Sequence, residues 1–158
     1  MAAEKFLIIH LYSNGDCLYA TAIARQLKTD HPGCSVTWAV APFCAGILAN
    51  NPYIDTIWTI DYMPDRKIET FRQYRSRLWQ EAEAKGFTRI FFTQILEENF
   101  SYYDGQVRSS ILAAFQQPVT VPLTPVLELT AAEQERVKNF AQAHQLSDPR
   151  AVIDHALA

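Results

Sequence analysis

Short apolar runs alternate along this chain with segments whose apolar residues recur every three or four positions. The runs predict buried strands and the segments predict helices, because each structure turns its side chains to one face with its own period. The predicted strands cover residues 5–12, 35–40, 56–60, 88–93 and 119–121, with a further strand at 150–154. The predicted helices cover residues 16–31, 42–50, 65–85, 106–115 and 130–144.

This alternation predicts the fold class. A strand–helix repeat of about 25–30 residues is typical of a Rossmann-like, doubly wound α/β sheet with parallel strands. In the second strand, Val36, Trp38 and Val40 are expected to share one face. The last helix begins with Thr130 and, three residues on, Glu133, which predicts a capping box.

Composition narrows the class of protein. The chain has 158 residues and a net charge of −3, so it lacks the basic excess of a general nucleic-acid binder. Its three cysteines form no C-x-x-C pair, and its histidines show no ligand spacing. We therefore predict reduced cytosolic thiols and no metal site. No apolar stretch approaches the roughly 20 residues of a membrane span, which predicts a cytoplasmic protein; contact with a membrane surface stays open.

One turn concentrates the candidate chemistry. Ser13-Asn14-Gly15-Asp16 follows the first predicted strand, at the edge where sheets of this kind place their ligands. In one interpretation, Asp16 is a structural residue that complements the start of the helix. In the other, Asp16 is a general base, ionised and made less basic by the helix terminus, and Gly15 lets a substrate approach the backbone. A single glycine in the turn argues against a dinucleotide loop or a P-loop.

Three further features of the sequence each allow two interpretations. His10 is either a hydrogen-bonded core residue or part of the site. The basic segment 65–77, with Arg66 and Lys67 near its start, is either a solvated helix face or a recognition surface for an anion. The aromatic residues of 100–105 either stack on a sugar or pack as a surface loop.

The order of three motifs resembles glycosyltransferase family 9, the bacterial lipopolysaccharide heptosyltransferases. Residues 5–16 are similar to that family's first strand and its Ser-x-Gly-Asp turn. Residues 36–43 are similar to its second strand, and Asn51-Pro52-Tyr53-Ile54-Asp55 to its Asn-Pro-x-Ile-Asp turn. The resemblance covers residues 5–61 and is only architectural from 62 to 130.

The resemblance implies a fold and a reaction. The fold would be the N-terminal half of a GT-B fold, which has two Rossmann-like domains separated by a cleft. Asp16 would be the general base of an inverting, metal-independent transfer of heptose or a related sugar to a lipopolysaccharide-core-type acceptor. Ser13, Asn14 and Gly15 would hold the acceptor, and Arg66 with Lys67 would contact its acid sugars.

The resemblance also implies partners and domains. Residues 1–146 would bind an anionic saccharide or lipid-linked acceptor, and residues 147–158 would begin a donor domain that this chain lacks. No cofactor is expected in this chain, because the nucleotide-sugar donor would bind that missing domain. The full-length protein is then expected to be an enzyme and this chain alone to be inactive. Peripheral contact with the inner membrane and homo-oligomers stay open.

Two other interpretations remain at this stage. The chain would also suit a non-catalytic Rossmann-like module for binding or assembly. A stand-alone doubly wound nucleotide-binding protein is the third.

Overall fold

The computed structural model describes residues 3–61, 68–95, 101, 103 and 105–146. The strands are β1 (Lys5–Ile9), β2 (Ser35–Val40), β3 (Thr56–Thr59) and β4 (Arg89–Phe92). The helices are α1 (Asn14–Asp30), α2 (Pro42–Ala45), α3 (Ile68–Ala84), α4 (Val107–Ala114) and α5 (Ala131–Ala143), and a 3₁₀ turn, Gly46–Leu48, follows α2. The predicted strand at 150–154 and the predicted helix start at 65 lie outside the described residues.

The four strands form one parallel sheet in the order β3-β2-β1-β4. Strand β1 lies between β2 and β4, with Phe6 opposite Val36 on one side and Arg89 on the other. From Phe6 to Ile9 its side chains are fully buried. A strand covered on both faces needs a continuous apolar sequence, which is why Phe6-Leu7-Ile8-Ile9 shows no polar alternation.

Helices cover both faces of the sheet, so the predicted doubly wound α/β fold is confirmed. On one face, Phe6 and Ile8 pack with Val36, Trp38 and Val40 beneath α1 and α4. The second strand thus turns those three residues to a single face, as predicted. On the other face, α3 covers the apolar side chains of β1 and of the residue that follows it: Leu7, Ile9 and Leu11, against Leu78 and Ala82.

The predicted strand at 119–121 is wrong. The main chain there bonds to side chains of α1 rather than to a neighbouring strand. Gln26 Oε1 accepts from the N–H groups of Thr120 (2.7 Å) and Val121 (3.1 Å). The buried side chain of Gln26, rather than a neighbouring strand, thus supplies the acceptor for these N–H groups.

The same segment continues along α1 as a strap, residues 118–127. Arg25 donates to the carbonyl of Pro122 at 2.7 Å, and Thr21 Oγ1 accepts from Val126 N–H at 3.0 Å. The strap is therefore held chiefly through its main chain.

The Asn-Pro-x-Ile-Asp turn has a structural role at the amino edge of the sheet. Asn51 Oδ1 accepts from Tyr53 N–H at 3.0 Å, which closes the turn before β3. Asp55 Oδ2 accepts from Lys28 Nζ and from Val36 N–H, each at 2.6 Å. One carboxylate, on the residue before β3, thus joins α1 to the start of β2.

The described chain forms two compact units that divide between Leu127 and Glu128. The second unit contains α5, and its predicted capping box is confirmed. Thr130 Oγ1 accepts from Glu133 N–H at 3.1 Å, and the Glu133 carboxylate accepts from Thr130 N–H at 2.8 Å. The domain boundary predicted between 146 and 147 stays a prediction. Within the described residues, no helix is long and apolar enough to cross a bilayer.

Substitution of Asp55 tests the clamp at the amino edge. Burial alone would raise the pKa of Asp55, but the bonds from Lys28 and Val36 outweigh it and lower the pKa. The carboxylate therefore stabilises the fold above the ordinary aspartate pKa, and that stabilisation is lost as the pH falls through the lowered value. Asp55→Asn should reduce the free energy of unfolding at pH 7 by about 1 kcal/mol, a value kept small because the pair is partly exposed.

Denaturant titration at several pH values measures this effect. The matched control is Glu81→Gln, which removes an exposed helical pair with Arg77 (3.5 Å) and should change stability by less than about 0.5 kcal/mol. Equal stabilities for the two variants would contradict a clamp at Asp55.

Candidate functional site

The turn between β1 and α1 has a conformation that its own residues do not favour. Ser13 precedes the first residue of α1 and has φ 73°, in the left-handed region. A non-glycine residue there costs about 1–3 kcal/mol and needs support from its surroundings. The Ser13 carbonyl accepts the first helical bond, from Cys17 N–H at 2.9 Å, but its side chain caps no helical N–H.

The two residues that follow β4 bond to the main chain just before this turn. The main chain of β4 makes its last bond to β1 through Thr93 N–H, which donates to the carbonyl of Ile9 at 3.1 Å. The next residue, Gln94, is 2% exposed, and its Oε1 accepts from Leu11 N–H at 3.0 Å and from Tyr12 N–H at 3.2 Å. A side-chain carbonyl thus continues the ladder where the strand has ended.

His10 is a core residue. It is fully buried, and its Nδ1 is hydrogen-bonded to Thr93 Oγ1 at 3.0 Å. Burial lowers the pKa of His10 to about 3, so the ring is neutral at physiological pH. Its main-chain carbonyl accepts from the Trp38 indole at 3.2 Å. The first of the two interpretations of His10 therefore holds, and the residue helps to fix the end of β1.

Asp16 is the third residue of α1 and is half-buried. Burial raises its pKa, and the nearby Ser13 hydroxyl opposes part of that rise. The pKa of this carboxylate is thus raised by burial, whereas the helix terminus was expected to make it less basic. Within the part of the chain that the structure describes, Asp16 forms no ion pair.

Tyr12 lies beside that carboxylate. Burial raises the pKa of Tyr12, and the negative charge of Asp16 raises it further. The phenol therefore stays protonated next to the carboxylate. A proton acceptor, the Asp16 carboxylate, and a proton donor, the Tyr12 hydroxyl, thus lie near each other at the end of β1.

The surface over the turn is open. Asn14 and Gly15 are exposed, and a Cβ placed on Gly15 would meet nothing within 4 Å. The Ser13 side chain caps none of the first N–H groups of α1, which suits the approach of an electronegative ligand. Behind the turn, burial raises the pKa of the Cys17 and Cys44 thiols, so both cysteines are inert packing residues.

Several residues at this edge were not singled out from the sequence. Gln94 and Thr93 directly follow a buried strand, and the rule that ligands gather beyond strand ends would have indicated them. Arg108, in the first turn of α4, stacks on the Tyr19 ring of α1 at 4.5 Å. Phe43, in the first turn of α2, is 53% exposed.

Other predicted site residues fall elsewhere. Arg66 and Lys67 lie outside the described residues, as do Phe100, Tyr102 and Asp104. Tyr103 is 45% exposed. Among residues 3–61, 68–95 and 105–146, no three His, Cys, Asp or Glu side chains come together as a metal site requires.

Two solved structures resemble the fold of this chain. The α/β fold of this chain matches that of GT-B glycosyltransferases over about half of their length. One similar structure is a family 9 glycosyl transferase from Veillonella parvula, with 14% identity, 93% of this chain and 52% of that chain covered, and a TM-score of 0.63. Another is the ADP-heptose LPS heptosyltransferase II of E. coli, with 15% identity, 85% and 50% covered, and a TM-score of 0.52.

The similarity to these two structures is limited in length and in sequence. The chain spans about half the length of both structures. No known family and no curated protein matches its sequence. At such low identity, the agreement lies in the fold.

The stability of Asp16→Asn separates the two interpretations of Asp16. A raised carboxyl pKa means that the native state is favoured at low pH and loses that advantage as the pH rises through the raised value. Asp16→Asn should therefore increase the free energy of unfolding at pH 7, by less than about 1 kcal/mol because the side chain is partly solvated. The gain should vanish near pH 3, where the wild-type carboxyl is protonated.

Denaturant titrations at pH 3 and pH 7 provide the measurement. Glu135→Gln, which neutralises an exposed carboxylate on α5, should show no such gain. A loss of stability in Asp16→Asn at pH 7 would instead identify Asp16 as a structural residue of the helix start.

Proposed function

We propose that this chain is the N-terminal, acceptor-binding domain of an inverting glycosyltransferase of the heptosyltransferase type, with Asp16 as its general base. The observation that carries the proposal is the Asp16 carboxylate: half-buried, raised in pKa and open to solvent on the ligand side of a GT-B sheet. The likeness to two glycosyltransferase structures over most of this chain supports the reaction class.

The geometry suits removal of a proton from an acceptor hydroxyl. The hydroxyl oxygen would attack the anomeric carbon of a nucleotide sugar while Asp16 accepts its proton. A new C–O bond forms, the anomeric carbon–phosphate oxygen bond breaks, and the nucleoside diphosphate leaves with the electron pair. A raised pKa makes Asp16 a better proton acceptor than an ordinary aspartate, which favours this role.

The turn and α4 supply recognition in this proposal. Ser13, Asn14 and Gly15 would hold the acceptor at the amino terminus of α1, where N–H groups favour an anion. Arg108 adds a half-buried positive charge, kept in place by Tyr19, on the helix that packs beside α1. Arg66 and Lys67 remain proposed contacts to acid sugars. The acceptor would be an anionic saccharide, such as lipopolysaccharide core, free or lipid-linked at the inner membrane.

Binding by this chain tests the acceptor assignment. Calorimetric titration with lipopolysaccharide core oligosaccharide should show binding, and titration with ADP-heptose should show none, because the donor would bind elsewhere in the full-length protein. Arg108→Gln should weaken binding of the oligosaccharide about tenfold, the effect of one lost charged hydrogen bond. Arg136→Gln, which neutralises an exposed arginine on α5, is the control. Binding of the nucleotide sugar alone would contradict the domain assignment.

Transfer by the complete gene product tests the base. Asp16→Asn should lower kcat about 10²- to 10⁴-fold and leave the KM for acceptor nearly unchanged, since general-base catalysis contributes that much. Asp30→Asn, at the opposite end of α1, should transfer sugar at the wild-type rate. Unchanged transfer by Asp16→Asn would refute the assignment, and binding without transfer by any variant would favour a non-catalytic module.

A further inference from the structure

The main chain just before the Ser13 turn bonds to the side chain of Gln94, a residue that follows β4. Two main-chain N–H groups, those of Leu11 and Tyr12, point away from β2 at the place where β4 no longer runs beside them. Both donate to a single atom, Gln94 Oε1, at 3.0 and 3.2 Å.

Each side of β1 is fastened at this point. Toward β2, His10 N–H donates to Ala39 (3.3 Å), and the Leu11 carbonyl accepts from Ala41 N–H (2.7 Å). Toward β4, Gln94 provides the last bonds before the chain turns. The path of residues 10–12 is therefore set from both neighbours, and the next residue enters its left-handed conformation from a fixed direction.

We propose that Gln94 is a positioning residue, which holds the turn 10–13 so that the Asp16 carboxylate keeps its half-buried place beside Tyr12. The inference rests on the proposed role of Asp16, and it adds a residue that does not itself touch the acceptor. Without the Gln94 acceptor, the turn would relax toward solvent and Asp16 would regain water.

The chain offers a matched control. Gln26 is also 2% exposed, and its Oε1 also accepts from two consecutive main-chain N–H groups, those of Thr120 and Val121. It lies in the second half of α1, away from Asp16. Loss of Gln26 should loosen the strap by the same chemistry and leave the turn intact.

The experiment measures the Asp16 carboxyl by ¹³C NMR titration of this chain in three variants. In Gln94→Met, which cannot accept these bonds, the elevation of the Asp16 pKa should be lost, and hydrogen exchange at Leu11 and Tyr12 should accelerate. Gln94→Glu keeps an acceptor oxygen at the same reach and should restore exchange protection. Gln26→Met should leave the Asp16 pKa unchanged while exchange accelerates at Thr120 and Val121.

Activity of the complete gene product supplies the second readout. Gln94→Met should lower kcat about 10- to 100-fold with the KM for acceptor within about twofold, as expected for a misplaced catalytic group. If Gln94→Met fails to fold, Gln94→Asn, whose amide is one methylene too short, takes its place with the same expectation.

The outcomes separate the two proposals. An unchanged Asp16 pKa in folded Gln94→Met or Gln94→Asn, or the same change in Gln26→Met, overturns the positioning role. A shifted pKa together with wild-type transfer by Asp16→Asn leaves Gln94 as the residue that places the turn and refutes the base.

Discussion

Burial of β1 on both faces is the constraint on which the rest of the structure depends. Its apolar side chains require α1 and α4 on one side and α3 on the other. Because β2 and β4 run parallel to β1, all three strands end at the same edge of the sheet. The turn at Ser13 and the start of α1 therefore lie where the ends of β2 and β4 can contact them. The position of Asp16 follows from the position of the central strand.

The two edges of the sheet hold their aspartates in different surroundings. At the amino edge, Asp55 is fully engaged by Lys28 and Val36, so its carboxylate has a structural role. At the carboxyl edge, Asp16 has no ionic partner among the described residues and keeps an elevated pKa. The pKa values of two aspartates of the same chain are thus shifted in opposite directions by what surrounds them. The motif at 51–55 that carries much of the resemblance reports on the fold, and the turn at 13–16 reports on the candidate site.

Sequence patterns predicted the order of most elements and the place of the turn at residues 13–16, between β1 and α1. They worked where a local rule decides the outcome: the apolar run of β1, the alternation in β2 and the capping box at Thr130. They failed where a distant residue decides. Residues 119–121 have the composition of a strand, but Gln26 takes their N–H groups. The basicity of Asp16 depends on burial, which only the packed structure shows. No pattern near Ser13 announces Gln94, which follows it by some 80 residues.

The strap at 118–127 shows how a contact can be kept while a sequence changes. Its bonds to α1 run from the side chains of Thr21, Arg25 and Gln26 to main-chain groups. Every amino acid except proline offers the same N–H, and all offer the same carbonyl. Most side chains of the strap can therefore be substituted without loss of these bonds. The three side chains of α1 that make the bonds cannot be substituted in this way. Relatives of this chain should have the same residues at three positions of α1 and different residues along the strap. Sequence identity in the strap will therefore understate the similarity of the backbone.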